Sequence, residues 1–390
     1  MTHVWKGSSV TRLLPTAESV DLMAMVEDFA SKELAPRSAE GEARGEFPRD
    51  QVAALGELGI LGLPYAEEYG GGAQPAEVYL QVLEELSRAW MTVGVSVSVH
   101  WLACFPLVTR GTPEQQAMWL PDLLGGSLLG GYCLSEPEAG SDAASLTSAA
   151  VLDGGEYVVN GHKAWITHGG VADFYSAMVR TGGPGPKGIS CLLVDGQTPG
   201  LSALPRERKM GGNASPTAQL LFEDMRVPVE RRMGEEGEGF AIAMAALDSG
   251  RLGIAACSVG LAQAALDVAV AYARERKQFG RPIADFQGVS FMLADMATAV
   301  AGARALYIEA ARRKDAGLPF ATEAAMAKLA ASDMVMRVTT DAVQVLGGAG
   351  YTQDFPVEQY FRGAKVLQIV EGTNQIQRLV IGRSLGTSGG

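Results

Sequence analysis

Apolar positions change their spacing twice along this chain. Through the first 130 residues they recur in stretches that read as helices, punctuated by Gly and Pro. The 19–34 stretch mixes apolar and acidic positions and is expected to stop at Pro36, and 48–58 and 76–89 read the same way. Pro113 followed by Glu114 marks a helix start, because proline suits the first turn and an acid favours the positive end of the helix dipole.

Between 131 and 237 the texture shifts. Runs at 156–160, 174–179, 189–194 and 219–222 are rich in β-formers and separated by Gly, Pro or Asp, which predicts an antiparallel β-domain, a small barrel or sandwich. From 238 to 390 the chain returns to long, alanine-rich helices. Val289, Leu293, Met296, Val300, Ala303 and Tyr307 recur at helical spacing and mark one buried face. Leu329, Met336 and Val343 recur every seven residues, with Ala325, Ser332, Thr339 and Leu346 beside them. The 252–276 helix carries Gly253, Ala255, Ala256, Gly260 and Ala262, small enough for close helix approach in a bundle. The order helices, strands, helices predicts an α+β fold, mainly α, with domains at 1–130, 131–237 and 238–390.

Length and composition narrow this picture. A chain of 390 residues exceeds one small core and fits two or three packed layers or domains. With 47% hydrophobic and 19% charged residues it is globular, and a net charge of −12 argues against a nucleic-acid surface. Any phosphate-bearing ligand must be held by local groups. Cys104, Cys133, Cys191 and Cys257 are far apart and lack CxxC spacing, so reduced thiols are expected, without a disulfide framework or zinc site. Residues 1–14 show no leader pattern. No stretch reaches the roughly eighteen apolar residues of a membrane helix, and even 93–108 carries His100 and Pro106. A cytoplasmic protein without membrane contact is the expectation.

Several motifs bear on chemistry. Gly183, Gly185 and Gly188 form a literal GxGxxG, but Pro184 and Pro186 interrupt it and a β-run follows, so a hairpin loop is predicted in place of a dinucleotide site. His3, His100, His162 and His168 form no HExxH and no metal cluster, and His162 and His168 are expected at the surface or hydrogen-bonded. No GxSxG elbow is present, which weakens a hydrolase reading. Segment 131–142, GYCLSEPEAGSD, runs into a Pro- and Gly-containing turn. Such a turn can cradle a ligand with N–H and hydroxyl groups, but read alone it fits a helix-to-strand connection with a Ser or Asp cap better.

KAWITHGG at 163–170, the surroundings of Arg251, YARERKQFG at 272–280, QVLGGAGY at 344–351 and IVEGTNQIQR at 369–378 complete a pattern that resembles the acyl-CoA dehydrogenase family over nearly the whole chain. The resemblance implies an N-terminal helical domain, a middle β-domain and a C-terminal four-helix bundle, assembled as a homotetramer. It implies FAD, with Tyr132, Leu134, Ser135, Gly140 and Ser141 of the first segment matching the stretch that holds the flavin and part of the substrate. Ser135 replaces the usual Thr and keeps the hydroxyl. Trp165, Ile166 and Thr167 match the family segment in which the Trp packs beside the flavin ring and the Thr hydrogen-bonds near N5; read alone, Trp165 is a core aromatic. Arg276, Phe279, Gln287, Gln344 and Gly348 are similar to positions that contact the FAD of a neighbouring subunit, Arg276 at the pyrophosphate. Read alone, Arg276 sits in an exposed basic turn. Thr373 and Gln375 match further FAD contacts.

Glu371, read alone, is a solvated acid before a helix capped by Thr373 or Asn374. The resemblance makes it the base that removes the substrate α-proton, followed by Gly372, where the backbone can approach a ligand. Another branch of the family carries its Glu just before the arginine matched by Arg251, where this chain has Gly250. Leu247, Asp248, Arg251, Ser141 and Gly372 match positions bordering the substrate; Asp248 and Arg251 also read as a charge pair at a helix N-terminus. The implied reaction is α,β-dehydrogenation of an acyl-CoA to the trans-2-enoyl-CoA, with burial raising the base and hydrogen bonds to the thioester carbonyl stabilising enolate charge. Electrons would pass to an electron-transfer flavoprotein. Alternatives are an oxidase, a dehydrogenase of carrier-bound acyl groups and a non-catalytic scaffold. The 90–105 helix is expected to border the acyl tail, with a short or branched chain favoured. Three departures from the family stand out. His168 replaces Asn and is expected to act through its backbone. Val370 replaces Tyr beside the base. Gly363 replaces Asp, with an effect on local packing.

Overall fold

A computed structural model describes residues 10–386, so His3 and most of the segment read for a leader lie outside the described residues. Helix Ala17–Phe29 begins at Thr16, whose hydroxyl accepts from Ser19 N–H. It does not stop at Pro36. A π-turn over Ala30–Leu34 leads into helix Ala35–Arg44. Pro36 falls in the first turn of that new segment, where a missing N–H costs little. Helices Arg49–Glu57, Ala76–Ala89, Met91–Arg110 and Pro113–Leu124 follow, the last with a Thr112–Gln115 capping box.

The middle region is one sheet, in the order Leu201–Ala203, Thr217–Pro228, Glu156–Thr167, Ala149–Asp153, Phe174–Arg180, Ile189–Asp195, Arg232–Met233. Most pairings are antiparallel, as predicted, but Gly130–Cys133 and Ala149–Asp153 both run parallel to Phe174–Arg180. Strands Phe174–Arg180 and Ile189–Asp195 are buried almost throughout, whereas Thr217–Pro228 largely alternates, so its one face meets solvent. The glycines at 183–188 sit in the connection between those two buried strands, as a hairpin loop.

Helix Gly239–Glu275 is the axis of the molecule. A β-carbon at Gly260 would lie 2.2 Å from Glu84 O, and one at Gly253 would lie 2.3 Å from Ser98 Oγ, so the small residues do permit the close approach of helices 76–89 and 91–110. Glu84 is fully buried between Arg12, Arg304 and the Tyr307 hydroxyl. Burial alone would raise its pKa; the two guanidinium groups hold it below the ordinary carboxylate value. This network ties the N-terminal helices to the C-terminal bundle of Gly239–Glu275, Gln287–Asp315 and Ala321–Leu346, with Val357–Leu367 and Asn374–Ser384 packed outside. In Gln287–Asp315 four of the six predicted positions, Met296, Val300, Ala303 and Tyr307, are buried, while Val289 and Leu293 near its start are only half-buried and Ala310 and Ala311 extend the face. In Ala321–Leu346 the seven-residue stripe of Leu329, Met336 and Val343 is only half-buried, and its neighbours Ala325, Ser332, Thr339 and Leu346 form the core.

The expectation that no segment reaches membrane-spanning character is corrected. Met91–Arg110, Gly239–Glu275 and Gln287–Asp315 are long and apolar enough by length and composition. Scattered Ser, Gly and His break the runs of consecutive apolar residues without lowering their average apolarity much. The first two are mostly buried inside the protein, and the third is largely uncovered. All four cysteines are buried free thiols.

Candidate active site

Glu371 lies in a turn between helices Val357–Leu367 and Asn374–Ser384. Its φ is 56° and that of Gly372 is 85°, so two consecutive residues occupy left-handed backbone. For a glutamate this conformation is strained and persists only where surroundings enforce it. Thr373 caps the final helix by accepting from Ile376 N–H at 3.3 Å. Gln377 Nε2 donates to the carbonyls of both Glu371 and Gly372, at 3.1 and 2.8 Å. Lys328 Nζ donates to the Gly372 carbonyl at 3.0 Å and to Asn374 Oδ1 at 2.8 Å. Among the described residues, no backbone carbonyl accepts from the Glu371 N–H.

The carboxylate is aimed inward. Glu371 Oε2 is enclosed and has no hydrogen-bond partner among the described residues. Burial pushes the pKa up to about 7, against the opposing pull of Arg251 and Lys328. A carboxylate poised near neutrality is what a general base needs. The Tyr132 hydroxyl, near enough to feel the Glu371 charge, is also buried and has no partner among the described residues. Two orphaned polar groups at one place are unusual in a protein interior and point to a ligand that completes them.

Gly250 and Leu102 form the floor. A β-carbon at position 250 would lie 2.6 Å from Glu371 Oε2 and 3.3 Å from Leu102 Cδ1. Glu371 therefore fills the space next to the position where the other branch places its own acid. One helical turn on, Ser98 and Leu83 close over Gly253. Arg251 is buried and pairs with Asp248 at 2.5 Å, in the body of the helix and not at its N-terminus; its Nε has no partner among the described residues. Leu247 is half-buried on the same helix.

Across the sheet, Trp165, Ile166 and Thr167 end strand Glu156–Thr167, where the register with Thr217–Pro228 shifts between Lys163 and Ile166. This irregularity gives Trp165 a φ of 62° and leaves its indole 63% exposed. Trp165 is thus an uncovered face, and the reading of it as a core aromatic is corrected. Ile166 is buried and Thr167 half-buried. Segment 131–142 is braced against this strand. Ala164 N–H donates to Ser135 O, and the fully buried Lys163 pairs with Glu136 at 2.8 Å. Glu136 also accepts from Thr147 N, Thr147 Oγ1 and Ser148 N. Burial would raise its pKa, but Lys163 and these donors lower it to about 2. Tyr132 and Leu134 are buried, Ser135 is half-buried, and Gly140 and Ser141 are exposed.

His168 does not act through its backbone alone. It is fully buried, its Nδ1 bonds the Gly130 carbonyl at 2.8 Å, and its Nε2 bonds Ser96 Oγ at 2.8 Å. His100 Nδ1 accepts from Gly130 N–H at 3.0 Å. Two imidazoles therefore hold the N–H and the carbonyl of one residue, Gly130, two residues before Tyr132. Desolvation holds both neutral, with pKa values lowered to about 4 for His168 and about 3 for His100. At Gly363 a β-carbon would lie 3.1 Å from Met91 Cε, so methionine fills the room that an aspartate side chain would take.

Arg276, Phe279, Gln287, Gln344 and Gly348 are all exposed, on the hairpin after Gly239–Glu275 and at the ends of the next two helices. Phe279 is 95% exposed at a φ of 51°. Among the described residues, none of the five makes a hydrogen bond or ion pair with Glu371. Gln375 is exposed on the final helix. Lys328, Gln377, Leu102 and the Lys163–Glu136 pair were missed as site residues. Lys328 had a signal: a lone charge in the small-residue stripe Ala325, Lys328, Ser332, Thr339.

Three family models cover the chain: "Acyl-CoA dehydrogenase, N-terminal domain" over 16–127, "middle domain" over 131–225 and "C-terminal domain" over 237–386. A relative from Clostridium acetobutylicum named acyl-CoA dehydrogenase, short-chain specific, is 45% identical over 94% of this chain and 97% of its own. The structure of butyryl-CoA dehydrogenase from Megasphaera elsdenii superposes with a TM-score of 0.93 at 40% identity, over 96% of this chain and all (100%) of that one. A chain from work on the electron transferring flavoprotein of Acidaminococcus fermentans gives a TM-score of 0.94 at 44% identity, over 96% of this chain and 99% of that one. With all three domains matched along nearly the whole chain, and an enclosed acid on a strained turn in the third, this chain belongs to the acyl-CoA dehydrogenase family of oxidoreductases.

Proposed function

We propose that the protein removes the α- and β-hydrogens of a short acyl-CoA, giving the trans-2-enoyl-CoA, with Glu371 as the base. The enclosed, unpartnered Glu371 Oε2 carries this reading. FAD fits the residues present: the indole of Trp165 is uncovered, and the Tyr132 hydroxyl is buried without a partner. Tyr132, Leu134, Ser135, Gly140, Ser141, Trp165, Ile166, Thr167, Thr373 and Gln375 would hold it from one subunit. Arg276, Phe279, Gln287, Gln344 and Gly348 would do so from a neighbour, a reading that their exposure supports. When bound, the flavin supplies the acceptor for the β-hydrogen and its electron pair.

The chain's own part is proton removal. Glu371 takes the α-proton, and its unengaged N–H is free to donate to the thioester oxygen as negative charge builds there. Leu247, Asp248, Arg251, Ser141 and Gly372 would border the substrate. Leu102 and Ser98 crowd helix Gly239–Glu275 just beyond the base, which favours a short acyl chain. The largely uncovered apolar helix Gln287–Asp315 supports assembly with further copies, a homotetramer by family resemblance. The similarity to a chain studied with an electron transferring flavoprotein supports such a protein as the electron acceptor.

Anaerobic mixing with butyryl-, octanoyl- and palmitoyl-CoA tests the reading. Loss of flavin absorbance fastest with butyryl-CoA, with a product lighter by one pair of hydrogens, is expected. Bleaching by none of the three, or fastest by palmitoyl-CoA, contradicts it.

A further inference from the structure

The Glu371–Gly372 turn is held by a group that the proposed chemistry has not used. Lys328 is fully buried, in the small-residue face of helix Ala321–Leu346. Its ammonium spends two donors on the Gly372 carbonyl and Asn374 Oδ1. Asn374 Oδ1 also accepts from Ser332 Oγ at 2.9 Å, while Asn374 Nδ2 donates to Asp333 Oδ1 at 2.7 Å. Asp333 further accepts from Gln368 Nε2 and Arg378 NH2. The network thus grips both ends of the base turn, from Gln368 to Arg378, and anchors it to a bundle helix.

Burying an ammonium costs several kcal/mol unless a built set of acceptors and a counter-charge offset it. Here its direct acceptors are neutral oxygens, and the anions near it are Glu371 and Asp333. We propose that Lys328 is a positioning residue for the reaction assigned above. Its ammonium pins the left-handed turn through the Gly372 carbonyl and Asn374, and supplies a buried positive charge that favours the ionised form of Glu371. The inference rests on Glu371 being the base. The charged and titratable groups around the pair are Arg251 with Asp248, Tyr132, Asp333 and Arg378. Desolvation lowers the Lys328 pKa to about 8, so the charge is largely present at neutral pH. Arg251 also favours ionised Glu371, so loss of Lys328 weakens the bias without abolishing it.

The test is the pH profile of flavin bleaching by butyryl-CoA in the flavin-loaded wild type, Lys328→Met, Lys328→Arg and Glu371→Gln. In Lys328→Met the midpoint of the rising limb is expected to move up by about one pH unit, with the limiting rate down about tenfold or more and KM within about twofold. In Lys328→Arg, which keeps the charge, the midpoint is expected to stay within about 0.3 unit of wild type even where the rate falls. A Lys328→Met limb at the wild-type position overturns the proposal. Should Lys328→Met fail to fold, Lys328→Arg decides: a limb at the wild-type position supports the role of the charge, and one raised by about a unit overturns it. If Glu371→Gln bleaches as fast as wild type, the base assignment has failed, a result separate from any behaviour of Lys328.

Discussion

The Glu371 carboxylate and the α-carbon of Gly250 share one small space: a β-carbon at position 250 would lie 2.6 Å from Oε2 and 3.0 Å from Cδ. The clash involves the far end of a flexible side chain, so the fold can absorb it while the Glu371 carboxylate moves. Gly250→Ala is therefore expected to melt near the wild-type temperature. Its rate of substrate-dependent bleaching should fall by about a hundredfold, the scale of an ångström misplacement of a catalytic group. Paired calorimetry and stopped-flow would separate the two effects, and a variant with full activity would show that the carboxylate works from elsewhere.

Glu371 also makes a stability prediction. Its folded pKa is raised to about 7 from an ordinary 4.5, so between those values the folded state binds more protons than the unfolded. Stability conferred by protonation is present at low pH and is lost as pH rises toward 7. Glu371→Gln, which never ionises, should gain on wild type by about 1–2 kcal/mol more at about pH 8 than at about pH 5.5, allowing for partial exposure of the residue. Urea unfolding at the two pH values measures the difference.

The His168 clamp runs the other way. Its folded pKa is lowered to about 4, below the ordinary 6.5, so the unfolded state takes up the proton first. The contribution is whole above about pH 6.5 and is lost as pH falls toward 4. His168→Asn should keep a donor for the Gly130 carbonyl, and should lose about 2 kcal/mol less than wild type between about pH 7.5 and about pH 5. Equal acid losses in both proteins would place the titrating group elsewhere.

Much of this was readable before any coordinates. The helix–strand–helix order follows from apolar spacing alone, and the proposal of Glu371 as base starts from a resemblance carried by Glu371 and Gly372. The rest depends on contacts between distant segments. Pro36 reads as a stop because the π-turn before it leaves no mark in the pattern. Trp165 reads as core because its exposure arises from a register shift against Thr217–Pro228. The Leu329 stripe drew attention to the larger side chains, while alanines and Lys328 occupied the buried face. His168 looked incidental because Ser96 and Gly130, its partners, are 72 and 38 residues away.

The most direct test of the account is anaerobic bleaching by butyryl-CoA in wild type and Glu371→Gln, both first shown to be folded and flavin-loaded. The account predicts rapid bleaching in wild type and a rate lower by about two to four orders of magnitude in the variant, the range for loss of a positioned base. Bleaching of Glu371→Gln at the wild-type rate would contradict it, because the enclosed carboxylate would then take no part in removing the proton.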